Sequence, residues 1–238
     1  MTSKTLTRWI KSLSRTKRAK EQYPVCIRQI FKAAMLEFNG YDNDVMIIKN
    51  NPWMVVKIPK ADTAEKRAIS AEECRKFFSV PLPPSVMANP LEDLGRDVAR
   101  MIICMGGINT VDLYNMKKRN FRGGKLCYNR AKTQGARRDN AYMEMWVEPM
   151  MFALFDKYAA PADDPYFFSF HNRYANYNSF DSNVNSGIKK ICKFLGFPKD
   201  DQYCVYTFRH TWATIAQNDC DASVSDVAFG LNHSHGHA

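Results

Sequence analysis

Between residues 120 and 147 the hydrophobic period of this chain changes, and that change limits the fold more than any other feature. The short runs LCYNRA and AYMEMWV are strand-like and flank the polar, Gly-containing stretch KTQGARRDN. That is the pattern of a β-hairpin with a basic connection. Elsewhere the period is helical. Ile27, Ile30, Phe31, Ala34, Met35 and Phe38 recur at i, i+3, i+4, i+7, i+8 and i+11, one face of an amphipathic helix that carries Arg28 and Lys32 on its other side and ends at Asn39-Gly40. The segment from Tyr41 to Thr63, with Asn50-Asn51-Pro52 and Ile58-Pro59, is turn-rich and reads as a linker. Ser70-x-x-Glu73 is a capping box that opens a short helix through Phe78. PLPPSVMANP (81–90) cannot be helical and reads as a loop, because proline removes donors and clashes with the preceding turn. Leu94 to Met105 reads as a buried helix closed by Gly106-Gly107, with further helices near 149–158, 178–195, 208–218 and 222–231. The expectation is a mainly α (α+β) chain in two parts. Residues 1–63 form a small, basic, all-helical domain plus linker, and residues 64–238 a mostly helical domain with one small antiparallel sheet.

Charge says what such a chain handles. It has 34 Lys+Arg against 24 Asp+Glu, a net of +10 over 238 residues. Residues 1–32 hold nine of the basic groups, Lys11, Arg15, Lys17, Arg18, Lys20 and Arg28 among them, against Glu21 alone. Residues 115–140 hold nine more, including Lys117, Lys118, Arg130, Lys132, Arg137 and Arg138, against Asp139 alone. Two concentrated blocks on an otherwise mildly acidic chain suit a polyanion gripped from two places, since each neutralised phosphate releases counterions. No stretch approaches the roughly 18 uninterrupted apolar residues of a membrane span. The first residues lack the apolar run of a signal peptide, so a cytoplasmic location is expected. The seven cysteines form no C-x-x-C pair and are odd in number, which argues against a disulfide framework and a structural zinc site. Alternating histidines in the tail HSHGH have no fixed geometry and no Cys or carboxylate close by, so no metal is expected there.

Three segments of the second part carry a resemblance. GGINTVDLYNMKKRNF (106–121) is similar to a turn-into-helix motif G-[LM]-R-x-x-[DE]-L. YNRAKTQGARRDNAYMEM (128–145) is similar to a hairpin in which a Lys-Thr pair follows a basic residue. YTFRHTWATIA (206–216), followed by LNHSHGHA (231–238), resembles H-x-x-R-H-T-x-A-T followed by L-G-H-S. These are motifs of the tyrosine site-specific recombinases, the phage integrase family, and the wording is most similar to integrases of Bacteroides-type mobile elements. The resemblance covers essentially the whole chain. It implies a SAM-like helical core-binding domain followed by a recombinase catalytic domain. It further implies DNA integration by strand cleavage and rejoining through a 3′-phosphotyrosyl link, with no cofactor. The implied partners are double-stranded DNA carrying an attachment or inverted-repeat site, and recombinase protomers in a synaptic tetramer.

Carried over by motif, Arg209 clamps the scissile phosphate, Lys132 protonates the leaving 5′-oxygen and His233 hydrogen-bonds the phosphate. Planar guanidinium and ammonium groups suit a crowded phosphorane that gains negative charge. Two positions depart from the pattern. Asn109 stands where the family has its early arginine, with Arg100 or Arg119 as spatial substitutes, and Tyr206 stands where it has a histidine. The nucleophilic tyrosine falls roughly nine residues past His233, about position 242, and residues 1–63 match only the later helices of the family's first domain. The chain is accordingly read as a truncated recombinase lacking its nucleophile. The competing class is a non-catalytic DNA-binding protein or a regulatory remnant of a recombinase, which keeps the basic blocks and loses the catalytic set.

Overall fold

The computed structural model describes residues 2–13, 18–60, 67–82, 84, 90–136 and 138–232. Arg15, Lys17, Arg137 and His233 lie outside the described residues, as does most of the loop at 81–90. The chain divides into two compact units, Met1–Glu65 and Lys66–Ala238.

In the first unit, helix α1 (Ser3–Ser12) is capped by the Thr2 side chain, and helix α2 (Ala19–Phe38) follows. Leu6 and Ile10 of α1 pack against Trp53 and Val56, with Trp9, Phe31 and Ile58 at the margin. Residues 52–56 are therefore part of the core, which corrects the reading of 41–63 as a linker. The signal was the apolar pair Trp53/Val56 inside a turn-rich stretch. Asn39 does more than end α2. Its buried amide donates to the Ile48 carbonyl (3.1 Å) and accepts from the Ile48 N–H (2.7 Å), folding the 40–48 loop back onto the helix end. The apolar stripe of α2 is only partly used: Phe31, Ala34 and Met35 are half-buried, while Ile27, Ile30 and Phe38 are exposed.

The second unit is built around a central helix, α4 (Leu91–Cys104). Helix α3 (Ala71–Ser79) opens on the expected capping box, Ser70 Oγ accepting from Glu73 N and the Glu73 carboxylate accepting from Ser70 N. Helix α4 (Leu91–Cys104) runs through the core with Val98, Ala99, Met101 and Ile102 buried. It ends as the paired glycines require. Gly106 and Gly107 adopt φ of +63° and +71°, and Gly107 N–H returns to the Ile102 carbonyl at 2.8 Å, the six-residue bond of a Schellman cap. After Ile108 and Asn109, helix α5 (Thr110–Asn115) begins.

Strands β1 (Phe121–Arg122), β2 (Lys125–Asn129) and β3 (Tyr142–Trp146) form an antiparallel sheet in the order β1-β2-β3, with Leu126 opposite Met145 and Tyr128 opposite Met143. The hairpin was legible in the sequence, but the two-residue β1 is too short to leave a period. Helices α6 (Phe152–Lys157), α7 (Phe170–Arg173), α8 (Tyr177–Phe194), α9 (Val205–Asn218) and α10 (Val224–Gly230) complete the unit. A core rich in aromatics, including Phe77, Phe168, Phe170, Phe180, Tyr203 and Phe208, joins them.

Helices α4 and α8 cross where Gly95 meets Gly187. A Cβ on Gly187 would sit 1.8 Å from the Leu91 carbonyl oxygen, and one on Gly95 would sit 2.5 Å from Ile188 N, so neither helix tolerates a side chain there. All seven cysteines are free. Among the described residues no helix is long and apolar enough to cross a membrane, and no cluster of His, Cys, Asp or Glu is arranged to hold a metal.

Candidate active site

The three motif segments, separated by up to about a hundred residues in sequence, converge on one cleft. The Gly106-Gly107 turn delivers Asn109 and Thr110 at the start of α5, the hairpin connection delivers Lys132, and the first turns of α9 deliver Tyr206 and Arg209. Together with Ile102, Ile108, Val111, Tyr177 and Val205 these residues line a cavity of about 150 Å³. Tyr206 and Arg209 share it because residues three apart on a helix lie on one face. Four of the five residues assigned by motif to chemistry therefore meet, and the fifth, His233, lies outside the described residues.

Arg209 is held rather than loose. It is 7% exposed, its Nη1 donates to the Gly107 carbonyl and its Nη2 donates to the Leu231 carbonyl at 2.9 Å. The Schellman turn thus has a second use, aiming the Gly107 carbonyl at the guanidinium. Trp212, one turn on, closes the same corner. Any Cβ added to Gly230 would meet its ring at 2.5 Å, and one on Gly107 would meet it at 3.5 Å. Thr211 is fully buried and is structural: its hydroxyl donates to Thr207 O within α9 and accepts from Ile69 N at 3.0 Å. The specificity of the run RHTWAT is in this sense largely packing around one arginine.

Arg130 corrects the sequence reading. Counted there among surface contacts to phosphate, it is instead 6% exposed. Its Nη1 donates to the carbonyls of Leu231 (3.1 Å) and Asn232 (3.2 Å). In the amide orientation that satisfies both ends of Asn109, Asn109 Oδ1 accepts from Arg130 Nε at 2.9 Å and Nη2 at 3.2 Å. Arg130 and Arg209 thus share one backbone carbonyl, that of Leu231. Neither Arg100 nor Arg119 lines the cleft.

Asp112 is the group that reasoning from sequence passed over, although it is the acid of the first motif. It is 4% exposed, and its Oδ1 accepts from Ala131 N at 2.8 Å, fixing the connection that carries Lys132. Burial raises its pKa above the ordinary carboxylate value. Burial first, and then the charge of Arg130, lowers the pKa of Arg209 to about 10. Two buried guanidiniums face one buried carboxylate, and Lys132 adds a further positive charge at the mouth. The Lys132 side is solvent-exposed, as is half of Tyr206. Thr110 and Tyr177 form the opposite wall, with Thr110 Oγ1 donating to Asp181 (2.6 Å) and lying 3.2 Å from the Tyr177 hydroxyl. A cavity this small with surplus positive charge can hold a tetrahedral oxyanion, because an anion is what relieves the repulsion between like charges in low dielectric.

The basic block around the cleft is less uniform than its sequence. Arg119, Arg122 and Arg138 are exposed. Lys118 is spent on the carbonyls of Pro161 and Ala162, and Lys125 on Glu144 (2.6 Å) and the Trp146 ring. Lys117 lies 6.0 Å from the Tyr166 ring centre. In the first unit Lys11, Arg18, Lys20 and Arg28 are all exposed.

No family model matches the chain, and no curated protein matches it. Solved structures do. A lambda integrase dimer bound to a COC′ core site superposes with a TM-score of 0.67 at 14% identity, over 100% of this chain and 63% of that one. The XerH site-specific recombinase bound to difH gives 0.66 at 12% identity, over 99% of this chain and 64% of that one. The Tn1549 transposon integrase in complex with transposon right end DNA gives 0.62 at 13% identity, over 99% and 78%. This chain has the tyrosine recombinase fold. It spans less than two thirds of the lambda integrase and XerH chains named first. The tyrosine recombinase resemblance read from three short segments and the fold read from the whole backbone agree. The cleft just described lies where those segments meet.

Proposed function

We propose that this chain handles DNA in site-specific recombination, binding a duplex through exposed basic side chains of each unit and seating one phosphodiester in the cleft between α5, the hairpin connection and α9. The observation that carries the proposal is the convergence of Asn109, Lys132, Tyr206 and Arg209 on one small cavity, with a second buried arginine behind it. The solved neighbours support it, since the structures of lambda integrase, XerH and the Tn1549 integrase are each of a complex with DNA, and lambda integrase also as a tetramer on a Holliday junction.

In this reading Arg209 donates to a non-bridging oxygen of the phosphodiester, where its charge counts most as the phosphorane forms. Tyr206 adds a phenolic donor from the next turn of α9. A tyrosine phenol gives up its proton to solvent water as its oxygen bonds to phosphorus, the P–O5′ bond breaks, and the departing 5′-oxygen takes a proton from Lys132, a transfer of the kind by which general acids contribute about 10²–10⁴. The 5′-hydroxyl of a second strand later reverses the same steps. The attacking phenol is assigned by motif spacing to about position 242, not to Tyr206 or Tyr177 of the cleft wall. Asn109 in place of an arginine is the feature that favours the second reading, a DNA-binding remnant without strand-cleaving activity.

The two readings separate on one gel. The chain is first used to select a preferred duplex from a random library. It is then extended through the expected tyrosine and incubated with that duplex carrying a nick that traps cleavage. A protease-sensitive covalent adduct on a denaturing gel supports the recombinase. Tight binding of the same duplex without an adduct refutes strand cleavage and leaves the remnant.

A further inference from the structure

An arginine in the Asn109 position would bring a donor and a charge together. Here the two are divided. Asn109 lines the cleft but has no charge, and Arg130 has the charge but does not line the cleft. The Arg130 fork is committed on both sides, to the carbonyls of Leu231 and Asn232 through Nη1 and to Asn109 Oδ1 through Nε and Nη2. Two bonds onto one amide oxygen fix the plane of that amide and turn its NH2 end away from the guanidinium. They also draw electron density from the amide nitrogen, since hydrogen bonds in a chain polarise one another. Arg130 is buried and Asn109 half-buried, which keeps the dielectric around the pair below that of water and strengthens the effect.

We propose that Asn109 and Arg130 act as a split arginine. Asn109 Nδ2 donates to a non-bridging oxygen of the phosphodiester, and Arg130 is a positioning residue that orients and polarises the Asn109 amide from behind. This rests on the phosphate reading of the cleft. It accounts for a buried guanidinium whose hydrogen bonds go to backbone carbonyls and to the Asn109 amide rather than to the nearby Asp112, and for the missing charge at the motif position. It also gives the hairpin a task besides carrying Lys132, because Arg130 and Lys132 are two residues apart on the same connection.

The test uses the 238-residue chain and inorganic phosphate as the probe. The Asn109 side-chain NH2 signals are assigned in a ¹H–¹⁵N spectrum by their loss in Asn109→Asp, and phosphate is titrated into the wild type. The expected result is a saturable shift of those signals, competed away by duplex DNA. In Arg130→Met, which keeps the aliphatic stem and removes the charge, phosphate affinity should fall about tenfold or more, the scale of one charge-assisted hydrogen bond. Arg130→Lys should recover part of that loss, and Arg130→Met/Asn109→Arg most of it, by putting charge and donor back on one residue. A folded Arg130→Met that binds phosphate as the wild type does overturns the split arginine. So do Asn109 signals that stay still while phosphate binds, a result that needs no variant to fold. A wild-type chain that binds neither phosphate nor duplex overturns the cleft reading itself, so the two failures are distinguishable.

Discussion

Asp112→Asn should lower the stability of the second unit and raise its affinity for phosphate, two effects of opposite sign from one atom exchange. Asp112 supplies the negative charge next to Arg130 and Arg209, and holds the Ala131 N–H at 2.8 Å. An asparagine of the same shape keeps an acceptor for that N–H. The bond falls from the charge-assisted range of about 1.5–3 kcal/mol to the neutral range of about 0.5–1.5 kcal/mol. Removing one partner from a buried charge cluster costs about 3–5 kcal/mol when the rest stays uncompensated. The relief of no longer burying a carboxylate, whose raised pKa shows that burial already strains it, offsets part of this. A net loss of about 2–4 kcal/mol follows, and for a domain of 150–250 residues each kcal/mol moves Tm by about 2–4 °C. A calorimetric scan at pH 7.5 should therefore show the transition of the larger unit falling by about 5–15 °C. Phosphate should close the gap, because a ligand at a hundred times its Kd adds about 2.7 kcal/mol and the variant, with one more net positive charge in the cleft, binds it more tightly. An Asp112→Asn protein as stable as the wild type, or one that binds phosphate more weakly, would refute the idea that Asp112 is the counter-charge of a pre-formed anion site.

Other perturbations test the surroundings. Gly187→Ala should destabilise the second unit by about 3 kcal/mol, the upper end for overpacking, since the new methyl meets the Leu91 carbonyl rather than a movable side chain; an unshifted melting curve contradicts the helix crossing. Tyr128 and Tyr158 are held neutral by burial, with Asp97 adding to the effect at Tyr158, so both titrate above the usual pH 10 of a free phenol. Their folded pKa values are raised, so the folded state binds more protons there and stability should fall as pH rises from about 10. Tyrosinate absorbance at 295 nm rising together with loss of near-UV ellipticity checks this. For duplex binding, Arg138→Ala should reduce the slope of log K against log salt by about 0.9, whereas Lys118→Ala, whose ammonium is occupied by the Pro161 and Ala162 carbonyls, should leave it nearly unchanged.

Much of the fold was legible because its signals are local. The capping box at Ser70, the Gly106-Gly107 stop and the change of period at the hairpin each act within a few residues, and each stands in the structure. What stayed hidden depends on partners distant in sequence. The Trp53 and Val56 pair belongs to a core only once α1 lies beside it. The exposed half of the α2 stripe shows that an amphipathic period states an ability to be buried rather than burial itself.

The same division runs through the site. Arg209 and Lys132 were found by motif, and the rest of RHTWAT serves the packing of α9, Thr211 tying the helix to Ile69 and Trp212 filling the corner beside Gly107 and Gly230. Arg130 was misplaced because a basic run carries no mark of which member turns inward, and the carbonyls that receive it come from Leu231 and Asn232, a hundred residues on. Asp112 could have been found, since the first motif ends in an acid followed by leucine and Asp112-Leu113 matches it.

Whether the cleft holds a phosphodiester is read from the structure of the chain bound to its selected duplex. In that structure one backbone phosphate should lie within hydrogen-bonding distance of Arg209 and of the Asn109 amide nitrogen, with Lys132 facing the 5′-oxygen of that phosphate. A duplex bound elsewhere on the second unit, with the cleft turned away from every phosphate, would contradict it.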